Sequence, residues 1–254
     1  MYTCGRGCSM HTGSENEKNL FQGAEKMRYN DLIKLFKTGW IYFGILGAIL
    51  LGIGDWLLGY VEPTPIPEAD WSALVKGYYT GDYSLLIPVI AMPLGFFGVL
   101  CYAPCMWRMG QIFKDEKTRR IQSVLMIAGM GGWALLHYLY SAMIYLFVLL
   151  CRIVDINTAI SVLNSMYKAV MPGMSLWLVF MLIPFLMHFF DIARGKSYLP
   201  KKMLFFHTLI WWAIIYFGTL ALPQTAFING LKTFAMNGSM LVWLTAVLLY
   251  KKQG

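Results

Sequence analysis

From Gly39 to Val61 the chain runs for about 23 residues with one charge, Asp55, before Glu62 follows. At about 1.5 Å of rise per residue a helix of that length spans roughly 34 Å, enough to cross a hydrocarbon core of about 30 Å with some tilt. Lipid offers the backbone no hydrogen-bond partner, so such a run must be helical. Gly44, Ala48 and Gly52 fall at i, i+4 and i+8, and Asp55 and Gly59 continue the row at i+11 and i+15. These positions share one helix face. Small residues there admit a neighbouring helix at close range. An acid in that row should face protein rather than acyl chains. Two readings of Asp55 stand side by side: a structural hydrogen-bonding acid near the membrane surface, or a ligand or proton site.

The rest of the chain repeats the theme. It is 58% hydrophobic and only 13% charged, about half the charge of an ordinary globular protein. That excludes a soluble enzyme. The apolar runs predict an all-α, polytopic membrane bundle of six transmembrane helices, over residues 38–61, 84–107, 121–151, 171–191, 203–222 and 230–250. Together they make a membrane domain of residues 38–252. The second run carries another small-residue row, Ala91, Gly95, Gly98 and Tyr102, and Pro88, Pro93 and Pro104 should bend it. The third, at about 31 residues, exceeds what a bilayer needs and should tilt or project. Residues 152–170 are mixed in character and read as a surface helix, with Pro172 in the first turn of the fourth span. Pro184 should kink that span.

Residues 1–37 form a polar tail with no apolar segment of the kind a cleavable signal peptide needs. Residues 1–26 read as disordered or extraneous, and Met27 as a plausible start of the ordered protein. Asp31 to Lys37 is expected to lie on the membrane surface, with Lys34 and Lys37 among the headgroups. In the first loop, Pro63, Pro65 and Pro67 give a stiff extended lead, Glu68 to Tyr78 an interfacial helix anchored by Trp71, and Gly81-Asp82 a turn.

Charge placement sets the orientation. With six spans, one side carries 17 of the 21 Lys and Arg, and the other carries Lys76, Arg152, Lys168 and Lys232. This is the positive-inside pattern, with both termini cytoplasmic. It also accounts for the net charge of +8 without a nucleic-acid partner. The five Cys are an odd number and give no disulfide framework. Cys101 and Cys105 lie one helical turn apart in an apolar span and read as packing, while Cys4 and Cys8 lack the second pair a zinc site needs.

The orientation sorts the polar residues into two candidate clusters. Asp55, Glu62, His137, Asn229, Lys232 and Asn237 fall in the outer half and could line a polar cavity beneath the Pro-rich loop. His188, Asp191 and His207 fall near the cytoplasmic end. Two imidazoles and a carboxylate can hold zinc, but the close paired histidines of a zinc hydrolase are missing, so neither metal nor cofactor is expected. No nucleophile elbow, Walker loop or Cys-x-x-Cys occurs, and the chain leans away from an enzyme.

The stretch GIGDWLLGYVEP, Gly52 to Pro63, resembles the first-span signature of an uncharacterised bacterial family of multi-span membrane proteins, a domain of unknown function. The resemblance implies a bacterial inner-membrane location and supplies no activity. Two functions remain open. One is a protein that binds or transports a small molecule or lipid through the outer polar cavity. The other is an intramembrane enzyme on a lipid or isoprenoid substrate, with Asp55 and His137 as acid and base.

Overall fold

The apolar runs form helices packed through their glycine faces. The computed structural model describes residues 38–62 and 83–253. The tail, the proposed start at Met27 and the first-loop elements lie outside the described residues. Among those described, six α-helices and two short 3-10 helices occur, and no strand. The α-helices are α1 (Thr38–Gly59), α2 (Leu86–Met109), α3 (Glu116–Leu150), α4 (Ile156–Ala193), α5 (Thr208–Leu220) and α6 (Ala226–Gln253). The 3-10 segments are Gly110–Ile112 and Lys201–Phe206. Five stretches are long and apolar enough to cross a membrane: Gly39–Gly59, Leu86–Met109, Glu116–Leu150, Lys201–Leu220 and Ala226–Tyr250. A shorter apolar stretch covers Val179–Ala193 within α4.

Helices pack in the order α4, α3, α2, α1, α6, α5, with α1 most extensively covered, by α2 on one flank and α6 on the other. The small residues of α1 make this possible, and the closest approach to α2 is at Gly47, which lies beside the expected row rather than in it. A Cβ placed on Gly47 would stand 2.7 Å from the Gly98 carbonyl oxygen, and one on Gly98 would stand 2.7 Å from the Leu51 nitrogen, so the two backbones touch there. Gly44 faces Cys105, Gly52 faces Phe234, and Ala48 is fully buried. The opposite side of α1 presents Tyr42, Phe43, Leu46, Ile49 and Ile53, all exposed. That is the pattern of a helix with one face on protein and one on lipid.

Two elements differ from expectation. The surface helix expected over residues 152–170 and the helix expected to follow it are one helix, Ile156–Ala193, which runs through Pro172 and Pro184. Proline in a first turn is favourable, but it does not force a helix to begin. Within a bundle a proline is tolerated where neighbouring helices supply polar contacts: Gln122 Nε2, on α3, donates to the carbonyl of Pro184 itself at 2.9 Å. The fifth apolar run is also not uniform. It opens as the 3-10 segment Lys201–Phe206, passes an extended His207 (φ −63°, ψ 139°), and only then becomes α5.

Asp115 and Asp155 cap α3 and α4, each accepting from the backbone N–H and hydroxyl of the threonine three residues on, Thr118 and Thr158. At the basic end of the bundle the α2–α3 and α4–α5 turns are stitched together. Tyr198 N donates to the Ile112 carbonyl at 3.0 Å and Lys114 Nζ to the Gly195 carbonyl at 3.1 Å. Gly195, at φ +70°, makes the left-handed turn that brings the second strip of chain into place.

Candidate functional site

At the other end, where α1 stops and α6 starts, Asp55 gathers groups from three helices. His137 Nδ1, on α3, lies 2.9 Å from Asp55 Oδ1. Asn237 Nδ2, on α6, donates to Asp55 Oδ2 at 2.6 Å. Tyr102, on α2, donates in turn to Asn237 Oδ1 at 3.1 Å. The remaining ring nitrogen of His137, Nε2, lies 2.9 Å from the Ala91 carbonyl oxygen. One connected network therefore ties α1, α2, α3 and α6 through polar bonds inside an apolar bundle.

The sequence explains why the ring fits. Gly54 of α1 and Gly95 of α2 form the two walls of a slot, and His137 fills it. A Cβ on Gly95 would fall inside the imidazole, and one on Gly54 would sit 3.3 Å from His137 Cε1. Ser141, one turn on, donates to the His137 carbonyl at 2.8 Å. On α6, Asn229, Thr233 and Asn237 fall at i, i+4 and i+8 and so form a polar stripe facing α1. Asn229 Nδ2 donates to the Val61 carbonyl at 2.9 Å, and Thr233 Oγ1 lies 2.9 Å from the Asp55 carbonyl.

The donors and acceptors constrain the protons. A backbone carbonyl only accepts, so His137 Nε2 must carry hydrogen. The contact with Asp55 then needs one more proton, on His137 Nδ1 or on the carboxyl. A neutral ring protonated only at Nε2 would aim a lone pair at a carboxylate. Asp55 is 18% exposed at its side chain and His137 3%, so access to the pair runs through the acid. Tyr140, one turn from His137 on α3, has a buried hydroxyl with no hydrogen bond among the described residues.

Not every expected member belongs. Lys232 is half-buried and makes no hydrogen bond or ion pair with Asp55 among the described residues. It lies one residue before Thr233, about 100° around α6 from the polar stripe. Glu62 is exposed at the end of its described stretch. Sequence reasoning missed the Tyr102 hydroxyl, the Ala91 carbonyl and the Gly54 wall. The period-four stripe on α6 was the signal that could have picked Asn237 over Lys232.

The inner cluster divides. His188 and His207 meet, with His207 Nε2 3.2 Å from His188 Nδ1. His207 Nδ1 accepts the Leu209 N–H and so caps α5. That fixes both tautomers: His207 Nε2–H donates to His188 Nδ1, and His188 keeps its hydrogen on Nε2, which is buried without a partner among the described residues. Trp243 stacks edge-on at 5.0 Å from His188, with Phe113 and Phe189 around the two rings. Asp191 takes no part. Its backbone carbonyl accepts Lys196 N and Ser197 N and closes the turn. Among the described residues no group of three metal-ligating side chains forms.

Five apolar stretches long enough to cross a membrane, four of them (in α1, α2, α3 and α6) joined by the network around Asp55 and His137, mark a multi-pass membrane protein. The chain belongs to a family of unknown function, DUF6796, whose profile matches residues 33–253. Searches of curated proteins and of solved structures each found no match.

Proposed function

We propose that the protein crosses the inner membrane six times with both termini cytoplasmic. It binds or carries a small polar or lipidic molecule from the outer half of the bilayer, with proton exchange at Asp55–His137 as the coupled step. The observation that carries this reading is that His137 has acceptors on both ring nitrogens, Asp55 and the Ala91 carbonyl. Loss of the shared proton would set a carboxylate against a lone pair and loosen α1 from α3. One protonation event is thereby linked to a helix contact, which is what a coupled carrier requires. Partial exposure of Asp55 gives the proton a route, and the Tyr140 hydroxyl, without a hydrogen bond among the described residues, leaves a polar site one turn away. The basic asymmetry supports the orientation.

The enzyme reading has less support. A histidine acting as general base must turn a nitrogen toward substrate, whereas His137 Nε2 is held by a carbonyl and its ring is walled by glycines. The test is proton flux. Full-length protein in liposomes, under an imposed potential and with a lumenal pH dye, should acidify the lumen. Asp55→Asn and His137→Gln should not. Equal flux in the wild type and both variants would overturn the reading.

A further inference from the structure

The basic end of the bundle carries a second feature that the Asp55 network does not use. The 3-10 segment Lys201–Phe206 buries Met203 and exposes Lys201, Lys202, Phe205 and Phe206. Residues three apart on a 3-10 helix eclipse one another, so Lys202 stands directly over Phe205. Phe205 is 76% exposed, far more than an aromatic ring at a protein surface requires. A groove of about 410 Å³ runs from Lys202 past Met203, Phe205 and Phe206 onto Ala246, Leu249 and Tyr250 of α6. Its mouth is cationic, with Lys202 Nζ 5.5 Å from the Tyr250 ring centroid, and its length is apolar.

The segment is also rigidly held. His207 N donates to the Leu204 carbonyl at 3.0 Å, the His207 ring caps α5, and Trp211 Nε1 donates to the Phe205 carbonyl at 2.9 Å. A charge fixed one turn from exposed aromatic rings, beside a groove that descends along a spanning helix, matches a molecule with an anionic head and an acyl chain. We propose that this groove binds one anionic phospholipid of the cytoplasmic leaflet. The phosphate sits at Lys202 in the mouth of the groove, with the charge of the neighbouring exposed Lys201 beside it, and an acyl chain lies along Phe205 and Leu249. The inference rests on the membrane reading of the chain but not on the role of Asp55.

Full-length protein in an uncharged detergent, titrated with dioleoyl phosphatidylglycerol or dioleoyl phosphatidylcholine and read by native mass spectrometry, tests it. Phosphatidylglycerol should be retained preferentially. Lys201→Gln/Lys202→Gln should weaken that retention by about fivefold per lysine and leave phosphatidylcholine unaffected. Lys117→Gln/Lys196→Gln removes the same charge elsewhere on the basic side and should keep the preference. Phe205→Ser should weaken both lipids. Equal retention of the two lipids, an unchanged preference in the Lys201/Lys202 variant, or an equal loss in the Lys117/Lys196 variant would overturn the proposal. So would displacement of the lipid by free glycerol phosphate at matched concentration. Flux through Asp55 is read separately, so either proposal can fail alone.

Discussion

The imidazole of His137 occupies the space that a side chain at Gly95 would need. This contact, together with the bond from His137 to the Ala91 carbonyl, sets how near α3 comes to α2 there. Gly95→Ala would drive a methyl group into the ring and should destabilise the protein by about 1–3 kcal/mol or more, the range for overpacking. Gly54→Ala meets the same ring at 3.3 Å and should cost less. Gly131→Ala, with nothing within 4 Å of its Cβ, should leave thermal melting in detergent unchanged or raise it slightly. Equal melting temperatures for the Gly95 and Gly131 variants would show that the slot is not tight.

Asp55→Leu removes both acceptor oxygens of a carboxylate that serves two donors. A leucine offers no acceptor, so both His137 and Asn237 lose a partner. A buried donor left unpaired costs about 1–3 kcal/mol. Replacing the pair together, as Asp55→Leu/His137→Leu, removes both polar groups at once and should recover part of that loss. A double-mutant cycle on thermal melting in detergent checks this: a coupling energy near zero would mean that the two side chains act independently.

The predicted orientation places Gly81 and Gly254 on opposite sides of the membrane. Alkaline phosphatase fused at Gly81 should be active and at Gly254 inactive, with green fluorescent protein reporting the reverse. The same side for both fusions would remove the six-span reading and its positive-inside argument together.

The two helix caps respond to acid. Hydrogen bonds from the Thr118 hydroxyl and N–H hold Asp115 below the ordinary 3.8, and Thr158 does the same for Asp155. A carboxyl whose folded pKa is lowered stabilises the fold above its unfolded pKa, and that stabilisation is lost as pH falls through the lowered value. Amide exchange at Thr118 and Thr158, corrected for its intrinsic acid dependence, should therefore accelerate only below the usual carboxylate range. Asp115→Asn and Asp155→Asn should flatten that response. An unchanged response in both variants would show that the caps do not carry it.

Much of this was legible in the residues. The Gly44–Ala48–Gly52 row marks the face of α1 that meets protein, and Asp55 on that row must point inward, where His137 is the imidazole at matching depth. Lys232 fell away because helix phase, not depth alone, decides who meets whom; Thr233 and Asn237 hold the phase. Pro172 was misread because it marks helix starts only statistically. The His207 cap was not legible, since histidine is outside the usual capping residues and acts here only through its packing beneath Trp243. The Ala91 carbonyl leaves no trace in sequence at all, because any residue supplies one.

The most direct measurement is the protonation of His137. In full-length protein reconstituted in lipid and labelled with ¹⁵N-histidine, solid-state NMR with His137→Gln for assignment should show, at neutral pH, one proton shared in the Nδ1–Asp55 contact: hydrogen on both ring nitrogens, or an Nδ1 that accepts from a protonated Asp55. In Asp55→Asn the ring should be neutral and keep its hydrogen on Nε2, toward the Ala91 carbonyl. A neutral ring in the wild type, with a bare Nδ1 facing an ionised Asp55, would contradict the account.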